Sequence, residues 1–319
     1  VYKRQIYYSR PFPGDPEMQF EGIYVPVITP FADDFSIDWE CFGKVIDWQV
    51  ENGTHGVIVG GSTGEFFSLS DDERVEQLEF AVKRAAGRIP IIAGVNDLLV
   101  DRCYEHTAKA RDAGVDALLV AAPPYSLPSQ KELVSHCLKI DRIADLPIIL
   151  YNYPGRTGVS MDEEFLDRVA QSSNFVAIKE SAGDVERIHM LAREYPQLQL
   201  SAGAEDLVLE FYAWGARSWV SVVANFFPRE AVRFHEICVL DSDFTTGRKI
   251  MTALLPIMNC LEKGGKFLQS VKYACELMDR PAGPVRPPMQ PMKKELQREV
   301  FQIVHTAKRT LGAILDEEE

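Results

Sequence analysis

The chain lacks any uninterrupted apolar run of the roughly 18–20 residues that a membrane-crossing helix requires. No transmembrane span is expected, and residues 1–20 hold no apolar core of a secretion signal. Metal-site patterns are missing as well. The six cysteines, at 41, 103, 137, 238, 260 and 275, form no Cys-x-x-Cys pair. The six histidines, at 55, 106, 136, 189, 235 and 305, form no His-Glu-x-x-His. Neither set has zinc-site spacing, so no metal is expected, and the cysteines read as reduced thiols of a cytoplasmic protein. Gly-x-G-x-x-Gly after the first apolar run and Gly-Lys-Ser/Thr after any Gly-rich turn are both absent, which argues against dinucleotide and P-loop phosphate binding. Positive charge is in deficit. There are 34 Lys and Arg against 47 Asp and Glu, a net charge of −13, so a nucleic-acid backbone is an unfavourable partner.

What is present is a rhythm. Eight apolar runs end in Gly, Pro, Asn or a charged residue: 22–30, 56–61, 90–94, 116–124, 147–152, 175–180, 198–203 and 218–225. They are rich in Val, Ile and Leu and nearly continuous, as parallel strands covered on both faces should be. Amphipathic stretches lie between them. Residues 38–53, 70–87, 101–114 and 185–196 read as helices; the second opens on a Ser70/Glu73 capping box and closes at Gly87. The repeat of about 30 residues implies a (β/α)₈ TIM barrel, an α/β fold, with an open doubly wound sheet as runner-up. The barrel is assigned to 20–242 and a small C-terminal helical domain to 243–319, with the proline-rich 280–291 excluded from helix. Residues 1–19 read as a poorly ordered tail, a mis-called gene start or, less favoured, a basic docking arm.

In a barrel the active site lies at the C-terminal strand ends. The sixth run, "FVAIKE", ends on Lys179. Alternation puts Phe175, Ala177 and Lys179 on one face and Val176 and Ile178 on the other. A buried ammonium is disfavoured, and a neutral amine can attack a ketone to form a Schiff base. An ion pair with Glu180 is the structural alternative. The fifth run, "ILYNYPGRTG", brings Tyr151 beside that lysine as a proton shuttle or a plain core tyrosine. Arg156, in the loop above, can grip a carboxylate or face solvent. "GGSTGE" after the second run offers backbone N–H groups and the Ser62 and Thr63 hydroxyls to a small carboxylate, although an ordinary turn would look similar. Tyr125 stands in a stiff Pro-flanked loop that can project away from its own barrel. Gly203 and Asn225, ending the last two runs, suggest close backbone approach.

Together "VPVITPF", "GGSTGE", "PPYSLPSQ", "YNYPGRTG", "AIKES" and "SVVAN" resemble, in order and spacing, the dihydrodipicolinate synthase / N-acetylneuraminate lyase family of Schiff-base aldolase barrels, from about residue 22 to at least 291. The resemblance implies a lyase without a separate cofactor. Lys179 would form the imine with pyruvate, Tyr151 and Thr63 would relay protons, and Ser62 and Thr63 would hold the keto-acid carboxylate. Tyr125 would complete the relay in a neighbouring subunit, and Gly203 and the Val220 carbonyl would lie by the imine. A homotetramer built from tight dimers is implied, or a homodimer. Arg156 favours aspartate semialdehyde as second substrate and a cyclic lysine precursor as product. Several features point elsewhere: Ser62 where a Thr-Thr pair is usual, "GEFFSLS", and Pro124 where a tyrosine is frequent. A catabolic Schiff-base aldolase, dehydratase or deaminase on another 2-keto acid, such as a 2-keto-3-deoxy sugar acid, competes. A metabolite-binding barrel without turnover is a third reading. Asp71, Arg74, Leu98 and Arg102 stand at the positions of the bacterial lysine-feedback site and differ from its usual residues, so no inhibition by lysine is expected.

Overall fold

The computed structural model describes residues 20–316. The expected tail over 1–19 lies outside the described residues. Eight parallel strands close into a barrel in chain order: β1 (Gly22–Pro26), β2 (Gly56–Val59), β3 (Ile91–Gly94), β4 (Ala117–Ala121), β5 (Ile148–Asn152), β6 (Phe175–Glu180), β7 (Gln199–Ala202) and β8 (Ser218–Val220). Every apolar run supplies one strand. β3, β5 and β6 end where their runs end; the other five strands stop short, because the residues beyond turn into the loops of the C-terminal rim. Asn225 illustrates this. It lies past β8 in a short 3₁₀ turn, and its side chain bonds to Pro26 O (3.1 Å) and Ile28 N (3.2 Å), tying β8 back to β1. The expectation that position 225 serves only close backbone approach is therefore corrected.

Helices alternate with the strands. α1 (Trp39–Glu51) is capped by Asp38, whose carboxylate accepts from Cys41 N. α2 (Asp71–Ala85) starts on the Ser70/Glu73 capping box and ends at Ala86, one residue before the expected Gly87. α3 (Val100–Ala113) ends on Gly114 in the left-handed region, and α4 (Gln130–Ala144) starts on a second box, Ser129/Glu132. The barrel is completed by α5 (Pro154–Thr157), α6 (Glu163–Val169), α7 (Val185–Glu194), α8 (Val208–Ala213) and α9 (Pro228–His235). Beyond it come α10 (Phe244–Lys263), α11 (Phe267–Leu277) and α12 (Lys294–Asp316), with α12 packed on both α10 and α11. Residues 280–291 contain no helix, as their prolines require.

Two apolar layers result. Ile23, Val57, Leu118, Leu150 and Ile178 face the helices in one cluster, while Tyr24, Ile58, Leu119, Ile149, Ala177 and Val220 fill the barrel interior in the other. Each such buried side chain contributes on the order of 1.5–3 kcal/mol. The alternation expected along β6 fails at its start. Phe175 belongs to the outer layer, and Val176 packs against the inner one. The pairing of β5 with β6 jumps from Ile148↔Phe175 to Ile149↔Ala177, so Val176 is an extra, bulged residue. From Ala177 onward the period of two holds, and Lys179 points inward.

Candidate functional site

Register first brings the site together. Tyr151 on β5 and Lys179 on β6 are direct partners across the ladder. The Lys179 Nζ lies 4.0 Å from the centre of the Tyr151 ring. Both side chains are buried, Lys179 at 6 % and Tyr151 at 8 % exposure. They line a cavity of about 740 Å³ at the C-terminal strand ends, together with Ser62, Thr63, Arg156, Gly203 and Val220. Seven of the eight expected site residues thus border one space. Tyr125 does not line it; it is 90 % exposed, in a left-handed backbone conformation with φ 71°.

The alternative role for Lys179, an ion pair with Glu180, is not adopted. Glu180 points to the opposite side of the strand. It accepts from Asn152 Nδ2 (2.8 and 2.9 Å), Ala182 N (2.7 Å) and Arg187 Nε (3.0 Å), which occupy its carboxylate. Among the described residues, Lys179 forms no ion pair. Burial pushes its ammonium down from the ordinary lysine range to about 8, against the opposing pull of Glu205 and Glu262. Burial raises the Tyr151 phenol far above its usual range, so it is a neutral donor at physiological pH.

Glu205 was not anticipated. It follows β7 by three residues, is 2 % exposed and lines the same cavity. One carboxyl oxygen accepts from Val222 N (2.5 Å) and Val223 N (3.2 Å), in the loop after β8; the other has no hydrogen-bond partner. Burial raises its carboxyl to about 8. Only its ionised form supports the Lys179 ammonium, and burial works against that form. The signal available in the sequence was a single acid just past a strand end, shared with many ordinary loops. Glu262, on α10, also borders the cavity; no pattern in a C-terminal helix marks it as facing a barrel mouth.

Gly203 has a steric reason. A Cβ there would lie 2.1 Å from Ser181 Oγ and 2.8 Å from Lys179 Cγ, so any other residue would displace the lysine stem. Arg156 sits in the one-turn α5, not in an extended loop, and stacks loosely on Tyr153 with 6.0 Å between guanidinium carbon and ring centre.

One group of potential metal ligands occurs among the described residues: Asp71, Asp97 and His106, whose ligand atoms lie within 4.8 Å of one another. It is not part of the cavity around Lys179. Arg74 reaches Asp97 at 3.2 Å and Arg102 reaches Asp71 at 3.5 Å, so two guanidinium groups already balance the carboxylates and oppose a cation. No helix in the described residues is long and apolar enough to cross a membrane.

A closed parallel barrel that buries an unpaired strand-end lysine against a tyrosine, at the mouth of a cavity, is the framework of an imine-forming enzyme. The chain belongs to the dihydrodipicolinate synthetase family, whose profile matches residues 19–307. It is 34 % identical over 288 residues to the 4-hydroxy-tetrahydrodipicolinate synthase of Caldicellulosiruptor bescii, covering 88 % of this chain and 95 % of that one. The same identity holds over 279 residues for the Syntrophobacter fumaroxidans synthase, covering 86 % and 94 %. Among solved structures, the Methylacidiphilum fumariolicum SolV synthase superposes with a TM-score of 0.87 at 28 % identity, over 93 % of this chain and 99 % of that one. The Acinetobacter baumannii dihydrodipicolinate synthase complexed with pyruvate gives 0.85 at 29 % identity, over 91 % and 99 %.

Proposed function

We propose that the protein is a lysine Schiff-base lyase that condenses pyruvate with aspartate semialdehyde to 4-hydroxy-tetrahydrodipicolinate, without a separate cofactor. The observation that carries this reading is Lys179: buried, free of ion pairs, its ammonium pKa lowered to about 8, and packed on the Tyr151 ring. Relatives at 34 % identity bearing the synthase name support the choice of reaction.

In this reading the Lys179 amine attacks the keto carbon of pyruvate. Tyr151 and Thr63 pass the protons that convert the carbinolamine to the imine with loss of water. Ser62 and Thr63 hold the pyruvate carboxylate. The imine withdraws electrons from the adjacent methyl carbon, which loses a proton and attacks the aldehyde. The amine of the second substrate then replaces Lys179 at the former keto carbon, closing the ring and freeing the enzyme. Arg156 grips the second carboxylate as a two-pronged donor. Gly203 and the Val220 carbonyl flank the imine. Tyr125, exposed in one chain, extends the proton relay of a neighbouring copy in a homodimer or homotetramer. The protein works in the cytoplasm, with no nucleic-acid or membrane partner.

The acidic mouth favours a second reading. Glu205, Asp206 and Glu262 border the cavity and suit the hydroxyl groups of a 2-keto-3-deoxy sugar acid, cleaved or dehydrated through the same imine. Turnover decides between them. Arg156→Ala should raise KM for aspartate semialdehyde by about 10- to 100-fold, the value of a charge-assisted hydrogen bond, and leave borohydride trapping of pyruvate unchanged. Faster turnover of a keto-deoxy sugar acid than of the semialdehyde pair would overturn the synthase reading.

A further inference from the structure

Ser62 and Thr63 sit in a turn that is anchored from outside the barrel. Gly64 N donates to Gly61 O (3.0 Å) and Glu65 N to Ser62 O (3.2 Å), wrapping the two hydroxyl residues. Thr29 Oγ1 holds the Gly64 carbonyl (2.6 Å). Glu65 then leaves the turn with φ 58°, a left-handed conformation that a non-glycine residue keeps only under constraint. Ser68 N and Oγ hold its carbonyl (2.8 and 2.9 Å), and charge holds its side chain. The Glu65 side chain is fully buried, and Lys272 on α11, 2 % exposed, meets its carboxylate at 2.8 Å. Lys272 also donates to Pro284 O (2.7 Å), and Arg286 N donates to the other Glu65 oxygen (3.2 Å).

The chain after α11 is held against the same rim. The Arg286 guanidinium pairs with Glu73 and donates to the carbonyls of Phe35 and Ser68 (2.8 Å to the latter). The Phe31 ring has Lys272 Nζ 4.4 Å and the Arg286 guanidinium carbon 4.3 Å from its centre. A Cβ at Gly283 would fall 1.9 Å from Phe31 O, so the strap lies directly on the β1 loop.

We infer that Glu65, clamped by Lys272 and Arg286, is a positioning residue through which the C-terminal strap sets where Ser62 and Thr63 meet the keto-acid carboxylate. The inference rests on the reading of Ser62 and Thr63 as that carboxylate's site. A buried charge pair braced by the Pro284 carbonyl and Arg286 N has little freedom, so the turn bearing it is fixed before substrate arrives. Neither Glu65 nor Lys272 lines the cavity, which separates their role from contact with substrate.

The test is borohydride trapping of pyruvate in the parent protein, Glu65→Gln, Lys272→Met and the double variant, with folding followed by circular dichroism. Each variant should need about tenfold more pyruvate for half-maximal trapping, while kcat at saturating pyruvate stays within about threefold. The double variant, which removes both buried charges, should melt closer to the parent than Lys272→Met does yet keep the raised pyruvate requirement. That split separates positioning from mere stability. If Lys272→Met does not fold, Glu65→Gln and the double variant decide. Folded variants that trap at the parent's pyruvate concentration would reduce the pair to a structural bond and overturn the inference. A parent protein that traps no pyruvate would overturn the proposed function, and this role with it.

Discussion

Lys179 and Lys272 are both almost fully buried, and the protein uses them in opposite ways. Lys272 is paired: Glu65 at 2.8 Å, the Pro284 carbonyl at 2.7 Å and an aromatic face surround its ammonium. Lys179 has a tyrosine ring and a cavity. Burial lowers the pKa of both, but at Lys272 the Glu65 carboxylate opposes the shift directly, whereas the acids that oppose it at Lys179 lie farther off. Burial alone therefore does not make a lysine a nucleophile. In the proposed reading, a cavity on one side and no close counter-charge leave Lys179 able to act as one, whereas Lys272 is tied to Glu65 and Pro284 O.

The comparison can be broken most sharply at Lys179. Lys179→Arg keeps a cation but cannot form an imine, so pyruvate trapping should vanish; a mass adduct elsewhere in the chain would show that another amine is the nucleophile. Tyr151→Phe should follow, with a loss of about 10²–10⁴ in kcat, the usual value of a positioned proton donor. Lys272→Met should leave the trapping lysine intact but strip Glu65 of its partner, lowering stability by about 3–5 kcal/mol in denaturant titration. A loss below about 1 kcal/mol would mean that water reaches the pair. The pH dependence is milder. Only the neutral amine attacks, so kcat/KM for pyruvate should rise with pH about tenfold per unit and level off near 8, where the lowered Lys179 pKa lies. A plateau reached only above pH 10 would place Lys179 in water. The smallest effect is expected from free lysine. Arg74 and Arg102 are already paired with Asp97 and Asp71, so micromolar lysine should leave the rate unchanged in a titration.

The Lys179–Tyr151 pairing was legible because strand period and strand order are both local consequences of the chain. A continuous apolar run ending in Lys-Glu, next to one ending in Tyr-Asn, needs only the parallel barrel to bring the two side chains together. The capping box at Ser70 was equally local. The Val176 bulge was not visible, since nothing in "NFVAIK" marks which of two apolar residues is the extra one. The placement of α10 and the 280–291 strap was also hidden, and with it Glu262 at the cavity and the Lys272–Glu65 bond, which spans more than two hundred residues of chain.

By itself, the sequence determined eight strands in order, the rim on which the chemistry lies, and a lysine facing inward at the end of the sixth. These follow from hydrophobic periodicity and chain connectivity, which act over tens of residues. Only the tertiary structure decided that Lys179 would stay unpaired while Lys272 is neutralised, and that Glu205 would be buried beside the former. Charge pairing depends on which side chains lie within a few ångströms after folding, and that distance is set by packing between elements far apart in the chain.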